Sequence, residues 1–423
     1  MAASIAVYES WDGNSSPTRL GILHARRGSG REVFEFAFDL QALATENLTR
    51  VQLDPRLGFF EGPQFPPQGR ENFGLFCDSS PDRWGRLLMR RRLEREKRAG
   101  RVRDSVQLHE SDYLLGVHDA FRVGALRFRL DEEGDFLDNR HGTAAPPLVQ
   151  LRRLEEASRA IESDEENTTE ENDEWLRLLI APGGSLGGAR PKASVVDEKN
   201  QLWIAKFPSV RDEHDVGAWE LVVHSLAASC GLRVAEGKAR RFASSHHTFL
   251  VKRFDRRASG ERIHFASAMT LTDHTDGDDA STGASYLEIA RCIIESGAQP
   301  DQDLRELWSR LVFNILVSNT DDHLRNHGFL LEPGIGWRLS EAFDMNPDPR
   351  SHGLKINISE SDNALDLELA RSVAKYFRLS AAEASEIVEQ SRRVVRLWKP
   401  TAARLGIGSR EIDRMAPAFR LAD

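Results

Sequence analysis

The chain has 423 residues, enough for two or three domains with a sizeable core, and its composition is that of an ordinary globular protein. Its net charge of −9 at pH 7 argues against binding nucleic acid over the whole surface, although a local basic patch is compatible with that charge. The three cysteines, Cys77, Cys230 and Cys292, are scattered, so they predict a reducing compartment and neither a disulfide framework nor a cysteine metal site.

The N-terminal third is predicted to be a mixed α/β domain. It begins without the basic region and long apolar core of a signal peptide, and no apolar run is long enough to span a membrane, so we expect a cytoplasmic protein. Apolar and polar residues predict strands at 4–8, 18–24, 32–38 and 125–130. Residues 81–98 have a helical pattern with one basic face, formed by Arg90, Arg91, Arg92, Arg95, Lys97 and Arg98.

An acidic segment at residues 162–174 nearly lacks apolar side chains. Such a composition is typical of a solvated linker or of the polar start of a helix. We therefore predict an N-terminal domain at 1–145, an acidic linker or helix at 146–177, and a second domain at 178–423. Within the second domain we expect a strand-rich lobe at 178–257 and a mostly helical lobe at 284–423.

The second domain starts with a glycine-rich loop at residues 183–192. Strands are predicted after it at 193–196, 202–207 and 249–254, with a helix at 216–230 between the second and third strands. A polar loop then occupies residues 255–283. Helical patterns dominate the remainder, at 286–295, 304–319, 365–376 and 381–397.

The run Thr-Asp-Asp-His-Leu-Arg-Asn at residues 320–326 is the most informative stretch of the chain. An acid followed five residues later by an asparagine, as in Asp321 and Asn326, is the spacing of a phosphotransferase catalytic loop. There Asp321 would orient or deprotonate the acceptor hydroxyl, and Asn326 would bind Mg²⁺. Asp344, eighteen residues beyond Asn326, is the candidate for a second metal ligand. These residue types are also favoured at helix ends and turns, so the loop alone leaves both interpretations open.

Phosphoryl transfer mainly requires that ATP be positioned and that negative charge be spread, and the other parts of such a site have candidates. The glycine loop would bring backbone amides to phosphate oxygens, although a flexible linker has the same composition. Lys206 would pair with the phosphates, and Glu220 on the following helix would be its acidic partner. An edge-strand lysine and a solvated glutamate are the alternatives. The strand end at Lys252 and Phe254 is the predicted hinge that receives adenine.

In this order the motifs resemble the HipA family, the kinase toxins of bacterial type II toxin–antitoxin systems. The resemblance covers about residues 178–400 and extends more weakly to 76–82 and 124–128. It rests on a glycine loop that contains Ser185 and ends in Lys192, on Lys206 in an Ile-x-Lys-hydrophobic-Pro strand, on Arg-Phe-Asp-Arg at 253–256, on the Thr-Asp-x-His-x-x-Asn loop at 320–326, and on Asp344 in an apolar context.

The resemblance implies an α+β, bilobed protein-kinase-like fold with a mixed α/β N-terminal domain and a mostly helical C-terminal lobe. It implies a serine/threonine protein kinase that uses ATP and Mg²⁺, with Asp321 and Lys206 as catalytic residues and Asn326 and Asp344 as metal ligands. The implied ATP-binding residues are Gly184, Ser185, Gly187, Gly188, Lys192, Lys206, Glu220, Lys252 and Phe254.

The resemblance also implies partners and a mode of regulation. Known targets in the family are aminoacyl-tRNA synthetases, and the implied partner is a helix-turn-helix antitoxin of the HipB type, which connects the kinase to operator DNA. Members of the family can phosphorylate a serine in the glycine loop and so switch themselves off. Ser185 would be that residue, because a phosphate there would repel ATP and compete for the same amides. The chain departs from the family pattern at Pro191, which stiffens the loop and removes one amide.

Two other functions stay open. A small-molecule or lipid kinase is one, because Asp-x-His-x-x-Asn also resembles the catalytic loop of phosphoinositide kinases. The other is a nucleotide-binding transcriptional co-regulator with little catalysis, which the basic segment at 90–103 favours. A solvated helix face is the simpler account of that segment.

Overall fold

The computed structural model describes residues 2–11, 16–28, 31–131, 133–139, 146–163, 179, 188, 190–350 and 352–423. The chain divides into two units. Unit 1 consists of Met1–Arg211 and Asp255–Ala266, and unit 2 consists of Asp212–Phe254 and Ser267–Asp423. Most of the predicted acidic segment and most of the predicted glycine loop, residues 183–187 and 189, lie outside the described residues. The domain boundaries inferred from the sequence stay predictions.

Unit 1 contains an antiparallel sheet built from the predicted N-terminal strands. Its strands are β1 (Ala2–Glu9), β2 (Thr18–Arg27), β3 (Glu32–Phe38) and β4 (Arg127–Arg129), in the order β3-β2-β1-β4. Because side chains alternate between the faces of a strand, Phe34, Phe36 and Phe38 of β3 are all buried on one face. The four strands predicted in this part of the chain are therefore confirmed, with small differences at their ends.

The basic helix of unit 1 begins at a polar signal that the sequence shows. The predicted helix at 81–98 starts at Arg83, because the Asp82 carboxylate caps it by accepting a hydrogen bond from the Gly85 amide at 2.7 Å. Part of the predicted linker is helical and buries Leu151, Leu154 and Ile161. The helices are α1 (Leu40–Leu43), α2 (Glu46–Thr49), α3 (Gly74–Asp78), α4 (Arg83–Arg98), α5 (Glu110–Leu115) and α6 (Leu151–Ser163), with short 3-10 helices at Asp119–Phe121 and Leu148–Gln150.

Unit 1 also contains the first two strands predicted after the glycine loop. They form an antiparallel hairpin of β5 (Lys192–Val196) and β6 (Leu202–Lys206), in which Lys192 lies opposite Lys206. The turn between them is closed by Asp197, whose carboxylate accepts hydrogen bonds from the amides of Lys199 and Gln201, both at 2.9 Å.

Unit 2 is mostly helical, as the sequence predicts. It starts with α7 (Val216–Ser229) and an antiparallel hairpin of β7 (Gly237–Arg240) and β8 (Thr248–Lys252). A short strand, β9 (Phe265–Ser267), lies where the chain passes from unit 1 to unit 2. The later elements are α8 (Ala268–Leu271), α9 (Tyr286–Ser296), α10 (Pro300–Val317), β10 (Gly328–Glu332), β11 (Gly336–Leu339), α11 (Leu367–Val373), α12 (Ala381–Val395), α13 (Trp398–Arg404) and α14 (Ser409–Met415), with 3-10 helices at Ala280–Thr282, Leu324–Asn326, Ala374–Phe377 and Ala416–Phe419.

Helix α10 forms the centre of unit 2. Its side chains from Leu311 to Val317 are all buried, so most of its circumference is surrounded by protein. Pro300 occupies its first turn, where the missing amide costs no hydrogen bond. Its C-terminal end is Ser318, a left-handed residue with φ of 50°. Among the helices that the structure describes, none is both long and apolar enough to cross a membrane.

Arg122 is a buried cation that joins several loops of unit 1. Burial lowers its pKa to about 10, although the nearby Asp119 and Asp138 carboxylates oppose that shift. Its guanidinium donates hydrogen bonds of 2.7–3.0 Å to four backbone carbonyl oxygens, those of Ser79, Leu114, Val117 and Leu137.

Replacing Arg122 by methionine is expected to lower the free energy of unfolding by about 3–5 kcal/mol, since it leaves buried carbonyls without donors. Urea denaturation followed by tryptophan fluorescence measures the change. The matched control is Arg26→Met, which removes an exposed arginine paired with Glu35 at 3.0 Å and should cost less than about 1 kcal/mol. Equal losses at the two positions would contradict the structural role of Arg122.

Candidate active site

The predicted catalytic loop follows α10 directly. The left-handed Ser318 turns the chain out of the helix, and the 3-10 helix Leu324–Asn326 closes the loop. Within it the His323 amide donates to the Asp321 carbonyl at 2.9 Å, and the Asn326 amide donates to the His323 carbonyl at 2.8 Å. Asp321 is exposed at the tip, whereas Asp322 and Asn326 are buried. The neighbouring aspartates therefore occupy opposite environments.

The structure brings Asp321, Asn326 and Asp344 together in unit 2. The Asn326 side-chain amide donates to the Asp321 backbone carbonyl at 3.1 Å. Although the residue as a whole is exposed, partial burial of the Asp321 carboxyl raises its pKa, and the neighbouring Asp344 carboxylate acts in the same direction. Electrostatic interactions with His323 and Lys355 oppose this shift. Asp321 thus lies within electrostatic reach of a second acid and of two basic side chains.

Asp344 has an uncommon backbone conformation. Its φ is 58°, in the left-handed region that non-glycine residues rarely adopt and that aspartate tolerates better than most. It follows Phe343, whose ring packs against Phe254 with ring centroids 5.5 Å apart. Phe254 is a predicted ATP-binding residue just after β8, so this contact joins the predicted hinge to the Asp344 segment.

The donor chemistry of Asn326 and Asp344 fits Mg²⁺. The side-chain oxygen of Asn326 accepts no hydrogen bond from the described residues, because the bond to Asp321 uses its nitrogen. A carboxylate and a carboxamide oxygen are hard ligands, and Mg²⁺ usually combines one or two protein ligands with water and phosphate oxygens.

Asp322 is the centre of a buried hydrogen-bond network. Its Oδ2 accepts hydrogen bonds from Asn314 Nδ2 and His327 Nε2, both at 2.9 Å, and from the Tyr286 hydroxyl. Burial alone would raise the pKa of Asp322, but His327 and the hydrogen bonds from His327 and Tyr286 lower it. The carboxylate is therefore held ionised inside the protein and supports the loop.

One further side chain, that of Asn319, connects this network to the Asp344 segment. Asn319 Nδ2 donates to Asn314 Oδ1 at 3.1 Å, and Asn319 Oδ1 accepts from the Asn346 amide at 3.2 Å. Sequence reasoning missed Tyr286, Asn314, Asn319 and His327. Asn314 carries a signal that could have found it, because it is the one amide within the apolar run at 311–317.

His323 supports the loop only through its main chain. Its backbone makes the two loop hydrogen bonds, whereas its ring Nδ1 is buried and has no hydrogen-bond partner among the described residues. In the same part of the structure, the ring of His327 makes the buried contact with Asp322. A histidine outside the predicted motif therefore supports the loop.

In unit 1, Lys192 lies in a buried ion pair. Its Nζ is 2.8 Å from Asp82 Oδ2, and it donates to the Gly188 carbonyl at 3.3 Å. Gly188 has a φ of 93°, and a Cβ atom there would lie 3.3 Å from Lys192 Nζ, which favours glycine. The structure thus gives Lys192 and Gly188 a shared local geometry, and their roles in ATP binding stay predictions.

The remaining predicted ATP residues are distributed over both units. Lys206 is the last residue of β6 in unit 1, and Glu220 is buried on α7 in unit 2, so their pairing stays a prediction. Lys252 ends β8, and its amide donates to the Glu236 carbonyl at 2.9 Å. The predicted roles of Gly184, Ser185 and Gly187 fall on residues outside the description.

Comparison with known proteins identifies the family to which the chain belongs. A family model for the HipA-like C-terminal domain matches residues 184–398. The chain belongs to the HipA family. This confirms the resemblance inferred from the motifs, and the matched range contains the glycine loop, Lys206, the 320–326 loop and Asp344.

Curated relatives of this HipA-family chain are similar to part of it. A Haemophilus influenzae protein named provisionally as a kinase is 26% identical over 179 residues, which cover 38% of this chain and 52% of that protein. A Sinorhizobium fredii protein with a similar provisional name, kinase Y4mE, is 27% identical over 149 residues, or 34% and 33% of the two chains. The chain thus spans about half the length, or less, of the curated relatives it matches.

A solved structure matches almost the whole chain. It is the HipA of Shewanella oneidensis, determined in a complex with HipB and its operator DNA. The match covers 98% of this chain and 95% of that one, with a TM-score of 0.64 and 16% sequence identity. At this identity the two proteins share the fold, so the predicted α+β, HipA-type fold is confirmed.

Asp322→Asn is expected to lower the free energy of unfolding by about 2–4 kcal/mol, because three buried donors lose their charged acceptor. Because folding lowers the pKa of Asp322, the stability that its carboxylate contributes is fully present above about pH 4. This stability is lost as the pH falls through the pKa of Asp322 in the folded state. The difference in the free energy of unfolding between wild type and Asp322→Asn should therefore be smaller at low pH than at pH 7, as measured by denaturation at both pH values. The exposed Asp413→Asn is the control, and a pH-independent difference would rule out the ionised scaffold.

Proposed function

We propose that this HipA-family chain is a serine/threonine protein kinase that transfers the γ-phosphate of ATP to a protein hydroxyl. The observation that carries the proposal is the grouping of Asp321, Asn326 and Asp344 in unit 2. The loop that contains Asp321 and Asn326 is held in place by buried donors to its second aspartate, Asp322. Phosphoryl transfer needs an acid at the acceptor hydroxyl and oxygen ligands for Mg²⁺, and these three residues supply both.

In this proposal each predicted site residue has a specific role. Asp321, exposed at the tip of the loop, orients the acceptor hydroxyl and takes its proton. Asn326 and Asp344 hold Mg²⁺, which neutralises phosphate charge when bound. The backbone amides of Gly184, Ser185, Gly187 and Gly188 cradle phosphates, together with Lys192 and with Lys206 paired to Glu220. The hinge around Lys252 and Phe254 receives the adenine.

Partners and biological role are also proposed from the family. The Shewanella HipA was solved with HipB and operator DNA, and this supports a HipB-like helix-turn-helix antitoxin and, through it, operator DNA as partners here. We further propose that the chain acts in the cytoplasm as the toxin of a toxin–antitoxin system and that its substrate is an aminoacyl-tRNA synthetase.

The central test is phosphate transfer by purified protein given γ-labelled ATP, Mg²⁺ and a bacterial lysate. Asp321→Ala and Asp344→Ala are each expected to reduce labelling at least about 100-fold, since one removes the base and the other a metal ligand. The control Asp413→Ala changes an exposed aspartate of the same unit and should label at the wild-type rate. Mass spectrometry of the labelled species identifies the substrate.

Different outcomes separate the competing functions. Label on a synthetase supports the full proposal, and label on another protein supports the kinase with a different target. Label confined to a metabolite or lipid would favour the small-molecule kinase. Binding of ATP without any transfer, together with salt-sensitive DNA binding, would favour the transcriptional co-regulator.

Self-phosphorylation at Ser185 gives a separate prediction. Wild-type protein incubated with ATP and Mg²⁺ should gain one phosphate on the peptide that contains Ser185, and Asp321→Ala should not. The phosphorylated form is expected to bind ATP at least about 10-fold more weakly, because its phosphate repels the nucleotide and occupies the same amides. Phosphopeptide mapping and nucleotide titration measure the two effects. Unchanged ATP affinity of the phosphorylated protein would refute this mode of regulation.

A further inference from the structure

Lys355 lies near the candidate base although no predicted motif includes it. Its Nζ is 2.9 Å from Asp279 Oδ2, with the lysine side chain 39% exposed and the aspartate 28% exposed. The positive charge of Lys355 also acts on the Asp321 carboxyl, where it opposes the rise in pKa caused by burial. Lys355 is thus a basic side chain, partly open to solvent and within electrostatic reach of Asp321.

The backbone that carries Lys355 is held by the elements that support the catalytic loop. The Lys355 carbonyl accepts from the Ala280 amide at 2.9 Å, and Asn357 Nδ2 donates to the Ala280 carbonyl at 2.8 Å. The Asn357 carbonyl accepts from the Tyr286 amide at 2.9 Å, and the Tyr286 hydroxyl donates to Asp322. Hydrogen bonds therefore connect Lys355 to the loop through Asn357 and Tyr286.

Asp279 is a fixed anchor for the Lys355 ammonium. Its Oδ1 accepts from the Ser281 amide at 2.9 Å and the Ser281 hydroxyl at 2.6 Å, which leaves Oδ2 for the lysine. These Ser281 hydrogen bonds, followed by Lys355, lower the pKa of Asp279 to about 2. Asp279 is therefore ionised across the physiological range and holds the lysine from one side.

The Lys355 ammonium has donors left for a ligand. A lysine ammonium has three N–H donors, and Asp279 is its partner among the described residues. Arg325 is the other strong cation of this region, and its guanidinium lies 3.4 Å from Met269 Sδ and 3.7 Å from Asp276 Oδ1. Because negative charge on the transferring phosphoryl group is stabilised by preorganised cations, an anchored ammonium within electrostatic reach of Asp321 fits an anionic ligand.

We propose that Lys355 is a phosphate-binding residue of the active site, whose ammonium donates to a γ-phosphate oxygen of ATP while Asp279 holds the side chain in place. The proposal rests on the kinase function proposed above. During transfer, the bond from the γ-phosphorus to the ADP oxygen breaks while a bond to the acceptor oxygen forms. The acceptor proton passes to Asp321, and Lys355 stabilises the oxygens without changing its own bonds.

Equilibrium binding of ADP and of a non-hydrolysable ATP analogue, each with Mg²⁺, tests the contact without requiring catalysis. Lys355→Met removes the charge and keeps most of the side-chain length. It is expected to weaken analogue binding about 10-fold or more and to leave ADP binding unchanged, since ADP lacks the γ-phosphate. Lys355→Arg should retain most of the preference for the analogue. Equal affinities of wild type and Lys355→Met for the analogue would overturn the proposal, as would a parallel loss of ADP binding.

Kinetics of the full-length protein separate a direct role from loop anchoring. Lys355→Met is expected to lower kcat at least about 100-fold. Asp279→Asn keeps the ammonium and should lower kcat less than about 10-fold. Equal losses in the two variants would show that the lysine only anchors the 273–283 loop, and thermal denaturation verifies that both fold. If wild type discriminates the analogue through Lys355 and yet transfers no phosphate, the proposed function fails while the phosphate contact stands.

Discussion

The candidate site depends on one buried charge. Asp322 is 3% exposed, and an unpaired carboxylate in such a place would be protonated or would destabilise the fold. Tyr286, Asn314 and His327 prevent this by directing donors to the same oxygen, Oδ2. These donors come from α9, from α10 and from the residue before β10. The ionised Asp322 therefore draws three separate parts of unit 2 to one point, and the loop that contains Asp321 is fixed as a consequence.

This arrangement explains how adjacent aspartates serve different purposes. Asp322 Oδ2 accepts hydrogen bonds from three buried protein donors, so Asp322 cannot take part in proton transfer without disrupting the core around it. Asp321 is one residue away, exposed, and influenced by Asp344, His323 and Lys355. The strain of the left-handed Asp344 is supported from both sides, by the Phe343 ring against Phe254 and by Asn346 against Asn319. Rigid support of this kind is required in a site whose catalysis depends on holding the reacting groups in a fixed geometry.

The sequence predicted the elements and the motif better than the contacts between them. Alternation located β1, β2 and β3, and apolar periodicity located α9, α10 and α12, because these patterns record burial of one face. The loop at 320–326 was recognisable because its chemistry depends on local spacing. The partner of Asp322 at Tyr286 lies 36 residues upstream, and Lys355 lies 34 residues downstream of Asp321. No sequence pattern predicts a contact at either separation, because these residues come together only through the topology of the folded chain.

The net charge of the chain does not reveal how its individual charged side chains are arranged. A net charge of −9 suggests a poor site for a polyanion such as ATP. Yet the acids of this chain hold its cations in fixed places, as Asp82 holds Lys192 in unit 1 and Asp279 holds Lys355 in unit 2. A lysine anchored on one side by a carboxylate loses less side-chain entropy when it binds a phosphate, and the carboxylate keeps the ammonium from moving into solvent. The excess of acidic residues is therefore compatible with anion binding, because at these positions an acid fixes the cation that a phosphate would meet.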